Sequence, residues 1–116
     1  MKLLRTAILS AAMVSATAAY GQISDGVIKI GVMNDMSGTY ADLAGPGSVL
    51  AARLAIEDLG DLVKGLKIEV LGADHQNKPD IGSNIVRQWI DVDKVDVIVD
   101  VPTSSVALAV NEIGQE

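Results

Sequence analysis

Residues 27–60 read VIKIGVMNDMSGTYADLAGPGSVLAARLAIEDLG. The first seven, VIKIGVM, carry branched side chains at 27, 28, 30 and 32 and are apolar at both parities except at Lys29. That pattern predicts a strand over Val27–Met33 covered on both faces, as in a parallel sheet. The last stretch, from Val49 to Leu59, predicts a helix. Leu50, Leu54 and the alanines at 51 and 55 form an apolar stripe, with Arg53, Glu57 and Asp58 largely off it. Pro46 suits a first helical turn, where its missing N–H costs nothing, and Gly60 is a helix stop. Between strand and helix lies NDMSGTYADLAGPG, a polar segment with one tyrosine. A buried strand running directly into so hydrophilic a turn calls for an explanation.

The same unit recurs twice. LKIEVLGA, 66–73, alternates Lys67 and Glu69 with Leu66, Ile68 and Val70, which places a second strand at a sheet edge with one wetter face. The polar loop DHQNKP follows, and Pro79 marks a helix start. Ile81, Ile85 and Trp89 are spaced four apart and Val86 and Ile90 widen their face, so Trp89 reads as a core residue rather than a ligand contact. Val95–Val99 is the third strand. DVPTSS then leads into Val106, Val110 and Ile113 at helical spacing.

Three β-α units with short connections give an α/β fold, a doubly wound parallel sheet built with right-handed crossovers. All three polar segments (NDMSGTYADLAG, ADHQNKP and DVPTSS) then follow the carboxyl end of a strand and lie along one rim, where ligands bind in this architecture. Helix amino termini at that rim present unpaired N–H groups and a partial positive charge that suit an anion. Thr103, Ser104 and Ser105 add hydroxyl donors for a carboxylate, although Thr103 or Ser104 could instead cap its own helix. Tyr40 could cover an apolar ligand and offer its hydroxyl, or pack on its own loop.

Composition narrows the function classes. The chain has 116 residues, a net charge of −6, no cysteine and one histidine. That is one small domain able to bury a core, without disulfides, thiolate metal sites or a cysteine nucleophile. The acidic balance disfavours a nucleic-acid surface, which clusters Lys and Arg. The opening MKLLRTAILSAAMVSATAAYGQ has Lys2 and Arg5 ahead of a small, apolar run and ends in Ala19-Tyr20-Gly21. Residues 1–21 therefore read as a secretory signal peptide cut before Gln22, with a cut after Ala18 or an uncleaved anchor as alternatives. Residues 22–116 keep seven basic and fifteen acidic residues, a net of −8, and work outside the cytoplasm.

Several motifs are missing. No GxGxxG follows the first strand and no GxxxxGK[ST] is present, which disfavours dinucleotide and NTPase sites. His75 beside Asp74 is a lone histidine in a polar loop, a weak basis for a metal or a general base. Ser37 lies outside any GxSxG turn, so an extracytoplasmic hydrolase lacks its nucleophile elbow. Asp35, Asp74 and Asp100 at strand ends resemble a phospho-accepting receiver domain, a reading that the signal peptide removes.

From about Val27 to its end the chain resembles the amino-terminal part of the periplasmic substrate-binding proteins of ABC importers, in the branched-chain amino acid (Leu/Ile/Val-binding) type. IKIGVMNDMSG, AARLAIEDL, KIEVLGADHQNKP and VDVIVDVPTSS carry the resemblance by their order and spacing. It implies a lobe of a two-lobed receptor that closes on a small-molecule carboxylate, an amino acid or an aromatic or hydrophobic acid. It implies delivery to an ABC permease in the inner membrane from the periplasm, with no cofactor, no metal and no catalysis. A sensor of the same fold feeding a signalling receptor is the alternative. Carried onto this sequence, the ligand contacts are Ser37, Tyr40, Asp74, His75, Thr103, Ser104 and Ser105. Two departures stand out. The cysteine pair common in amino acid binders is absent, with Pro102 just before the hydroxyl turn. The sequence also stops at Glu116, so residues 22–116 are expected to be the first part of a longer chain and marginal when isolated. The loops DMSGTYADLAGPG and DHQNKPDIGSN are closer to the branch that takes up aromatic or other hydrophobic carboxylates.

Overall fold

A computed structural model of the chain describes residue 23 and residues 25–115. The signal peptide proposed for residues 1–21 lies outside them. Among the described residues the sheet has three parallel strands in the order β2-β1-β3. They are β1, Ile28–Asn34, β2, Ile68–Asp74, and β3, Val97–Val99. Asn34 is level with Asp74, and Val32 is level with both Gly72 and Val99. The expected parallel α/β sheet is therefore present, and the alternating strand, β2, is indeed an edge.

Helices follow each strand: α1, Gly45–Leu59, α2, Pro79–Gln88, and α3, Ser104–Ile113. A tight 3-10 turn at Gly60–Val63 and a wider π turn at Trp89–Asp93 extend the first two. Gly60 does end α1, at φ 46°. Register settles which face each helix covers. Gly31 is level with Leu71 and so shares its face, while Gly72, the next residue along β2, points the opposite way. A Cβ on Gly72 would lie 2.8 Å from Val49 of α1, and one on Gly31 would collide with Cζ3 and Cε3 of the Trp89 ring. Thus α1 covers one face and α2 the other, where α3 packs beside it.

The core lies on the α2/α3 side. Met33, Val86 and Val106 are wholly buried there, joined by Trp89 and Ile113, with Leu71, Ala73, Ile98 and Val110 packed around them. Gly31 has no side chain because the indole of Trp89 occupies the space above it. Trp89 is a core residue, as its spacing suggests.

The structure corrects three readings. α1 begins at Gly45, with Pro46 inside its first turn as expected. Its inward, half-buried face is Val49, Ala52 and Ile56, whereas Leu50 and Leu54, expected on the apolar stripe, are 57% and 48% exposed. The helix is apolar on most sides, so periodicity alone does not orient it. The gap left by Gly72 admits Val49 and decides the matter. β3 begins at Val97 rather than Val95, because the Val95 N–H donates to Trp89 O and closes the preceding turn. Ile90, expected beside Trp89 in the core, is exposed on that π turn.

Candidate functional site

The loop that leaves β1 folds around Asp35. This residue is wholly buried, and its carboxylate accepts the N–H groups of Gly38 at 2.8 Å and Tyr40 at 3.1 Å. Short polar residues after a strand favour such side-chain-to-backbone turns. The result is to lift Tyr40 onto the rim with its main chain fixed.

Asp74, at the end of β2, performs a similar task between loops. One oxygen accepts the N–H groups of Met36 at 2.9 Å and Gln76 at 2.8 Å, and the other accepts Ser37 Oγ at 2.5 Å. Partial burial pushes the Asp74 carboxyl up. The hydrogen bonds from Ser37, Met36 and Gln76, with a smaller contribution from His75, outweigh burial and leave it below the ordinary 3.8. At the end of β3, Asp100 takes a left-handed backbone conformation, φ 55°. Its Oδ2 accepts Asn34 Nδ2 at 2.7 Å, and the same amide donates to Gly45 O at 3.1 Å. Asn34 is itself wholly buried. The three strand-end aspartates are therefore clamps that set loop geometry.

These clamps shape a cleft of about 480 Å³ at the carboxyl end of the sheet. Tyr40, Leu43 and Ala44 form one wall and Ser48 of α1 adjoins them. Asn77 contributes from the β2–α2 loop, and Asp100, Pro102, Thr103 and Ser104 form the opposite wall. Thr103 is the N-cap residue of α3 and makes no side-chain capping bond. The N-cap residues of α1 and α2, Ala44 and Lys78, make none either.

Of the residues singled out from sequence, the structure brings Tyr40, Thr103 and Ser104 together in the cleft. Ser37 and Asp74 bond each other beside it without lining it. Ser105 is exposed in the first turn of α3, outside the lining. His75 is wholly buried: its Nδ1 accepts the Asn77 N–H at 3.0 Å and its Nε2 has no hydrogen-bond partner. Its Cβ lies 3.8 Å from where a Cβ on Gly82 of α2 would be, and the imidazole does not line the cleft. Sequence reasoning passed over Leu43, Ala44, Ser48, Asn77, Asp100 and Pro102. Ser48 lies in the first turn of α1, and nothing in its local sequence marks it as facing the cleft. Asn77 had a visible signal, since Asn tolerates the left-handed conformation (φ 57°) in which it sits. Among the described residues no group of three His, Cys, Asp or Glu side chains could hold a metal, and no helix is long and apolar enough to cross a membrane.

A family model described as periplasmic binding protein matches residues 27–116. A search of curated proteins gave no match. Among solved structures, a periplasmic binding protein from Burkholderia mallei is 43% identical over 77% of this chain and 24% of its own, with a TM-score of 0.71. A branched-chain amino acid ABC transporter periplasmic ligand-binding protein from Burkholderia xenovorans LB400 is 48% identical, with a TM-score of 0.69, over 74% of this chain and 23% of its own. A solute-binding protein of an ABC transporter from Rhodopseudomonas palustris BisB5, solved with 3,4-dihydroxybenzoic acid, is 32% identical over 78% of this chain and 24% of its own, with a TM-score of 0.65. The chain thus spans about a quarter of the length of these relatives. With the family model covering nearly all of the described residues and these structures sharing its fold, the chain belongs to the periplasmic binding protein family.

Proposed function

We propose that the cleft is one lobe's share of a binding site for a small carboxylate, an amino acid or an aromatic or other hydrophobic acid. The complete protein would capture this ligand in the periplasm and present it to an ABC permease without transforming it. One observation carries the reading. Thr103 and Ser104 line the cleft at the amino terminus of α3, and Thr103 does not spend its hydroxyl on capping its own helix. A ligand carboxylate there would meet hydroxyl donors, the unpaired N–H groups of a helical first turn that includes Ser105, and the positive end of the helix dipole. Tyr40, Leu43, Ala44 and Pro102 supply an apolar wall for the rest of the ligand. Ser37 and Asp74 act indirectly, by fixing the loop that carries Tyr40. The Burkholderia xenovorans relative is a branched-chain amino acid ligand-binding protein and the Rhodopseudomonas palustris relative was solved with 3,4-dihydroxybenzoic acid; both ligands are carboxylates. Lobe closure around the ligand would signal the loaded state to the permease.

The test is a thermal-shift screen of the full-length mature protein against L-leucine, L-phenylalanine, benzoate and 3,4-dihydroxybenzoate. A ligand at a hundred times its Kd stabilises by about 2.7 kcal/mol. Replacing Thr103 and Ser104 together by alanine should abolish the shift while leaving the unliganded melt nearly unchanged. Undiminished binding by that variant would remove the assignment. Mass spectrometry of the secreted protein should place its first residue at Gln22.

A further inference from the structure

The residues lining the cleft include a single charged side chain, and it is acidic: Asp100. No lysine or arginine lines the opening, and the ion pairs Lys29–Asp25 and Lys64–Asp61 lie elsewhere. An acid-binding site would ordinarily avoid a carboxylate in its wall, since like charges at close range in a partly desolvated cleft repel. We infer that Asp100 is a specificity-determining residue, which selects acids that also carry a cationic amine over acids of the same shape without one. The inference rests on the reading of the cleft given above.

The geometry supports a recognition role. Asp100 Oδ2 is held by Asn34 Nδ2 at 2.7 Å, and the buried Asn34 amide is anchored in turn by Gly45 O at 3.1 Å. The carboxylate is thus held in place by a neutral amide that leaves its charge uncompensated, whereas a lysine or arginine partner would have neutralised it. The β3–α3 segment accordingly presents two polarities within a few residues, a negative side chain at 100 and a donor-rich helix start at 103 and 104. A zwitterion matches that pair, and a simple monoanion matches only half of it.

A purely structural account also exists, because Asp is among the residues that tolerate φ 55° and its side chain ties β3 to β1. Asparagine separates the two accounts. It tolerates the same backbone angle and its Oδ1 can accept the Asn34 amide, but it carries no charge. The experiment is calorimetric titration of full-length wild type and Asp100→Asn with matched probe pairs. The pairs are L-leucine with 4-methylpentanoate, L-phenylalanine with 3-phenylpropanoate, and 4-(aminomethyl)benzoate with benzoate.

The expected result is that wild type prefers the amine-bearing member of at least one pair by about tenfold or more, and that Asp100→Asn loses most of this preference through weaker binding of that member alone. Equal or tighter binding of the amine-free acids by wild type overturns the inference and leaves the carboxylate site standing. An undiminished preference in Asp100→Asn also overturns it, by assigning amine recognition to another part of the protein. If no member of any pair binds wild type, the carboxylate reading fails and the inference fails with it.

Discussion

Ser37 Oγ donates to Asp74 Oδ2 at 2.5 Å, latching the loop that leaves the central strand to the end of its neighbour. Residues 37 and 74 are far apart in sequence, yet this contact and the Met36 N–H bond to the same carboxylate set the near wall of the cleft.

The latch should depend on acid in a defined direction. The Asp74 carboxyl is held below 3.8 in the folded chain, so its contribution to stability is complete above about pH 4 and fades as pH falls through the lowered folded value. Asp74 is half-buried at the rim, where solvent still screens it, so the contribution is about 1 kcal/mol or less. Asp74→Asn should lower the melting temperature modestly at pH 6 and by a smaller margin at pH 3. Melting curves of both proteins at the two pH values check this; a gap that widens in acid would contradict it.

The Gly31–Trp89 contact should show strong coupling. Trp89→Ala opens a cavity in the core and should cost about 3–5 kcal/mol. Gly31→Ala drives a methyl group into the indole and should also destabilise the wild type, because its Cβ would collide with Cζ3 of the ring. In the Trp89→Ala background the same methyl group has room, so its cost should nearly vanish. Denaturant titration of the four proteins yields the coupling directly.

His75 should be indifferent to ligand. Its imidazole is wholly buried, bonds the Asn77 N–H and stays out of the cleft. Because Nε2 has no partner, His75→Leu gives up little and frees only an exposed loop amide for water. A stability change within about 1–2 kcal/mol is expected, together with ligand-induced thermal shifts equal to wild type. A lost shift in a variant that still folds would place His75 in the site after all.

Residues 22–116 produced alone should be marginal and prone to associate. Val97 and Val99 of the edge strand β3 are 45% and 37% exposed on the α1 face, and Leu50 and Leu54 of α1 are exposed as well. Unpaired edges and apolar patches of this kind recruit other chains. Sedimentation should show association, and the melt should be broad. A sharp transition from a monomer would refute this.

The fold was legible where the sequence leaves a single solution. A two-sided apolar strand such as Ile28–Asn34 needs helices on both faces, and Pro46 and Pro79 mark helix starts with little ambiguity. The orientation of α1 was not legible, because its apolar residues nearly encircle it and the deciding feature, Gly72, lies on another element. In the site, Tyr40, Thr103 and Ser104 follow from their place after strand ends. Asp100 also stands at a strand end, but its selection as a lining residue depends on a left-handed turn and on Asn34, a partner 66 positions away. Local pattern carries no signal of such a pairing. The near neighbours Asp74 and His75 illustrate the same limit: the chain turns one toward a loop latch and the other into the interior.

The carboxylate clamps at Asp35, Asp74 and Asp100 hold the rim loops by bonds internal to the lobe. A guest arriving at such a rim finds its first half-site already assembled, so little conformational entropy remains to be lost there on capture. On the proposed binding role, most of the free energy of encounter would then be left to draw a facing surface inward, with no folding of the contact loops.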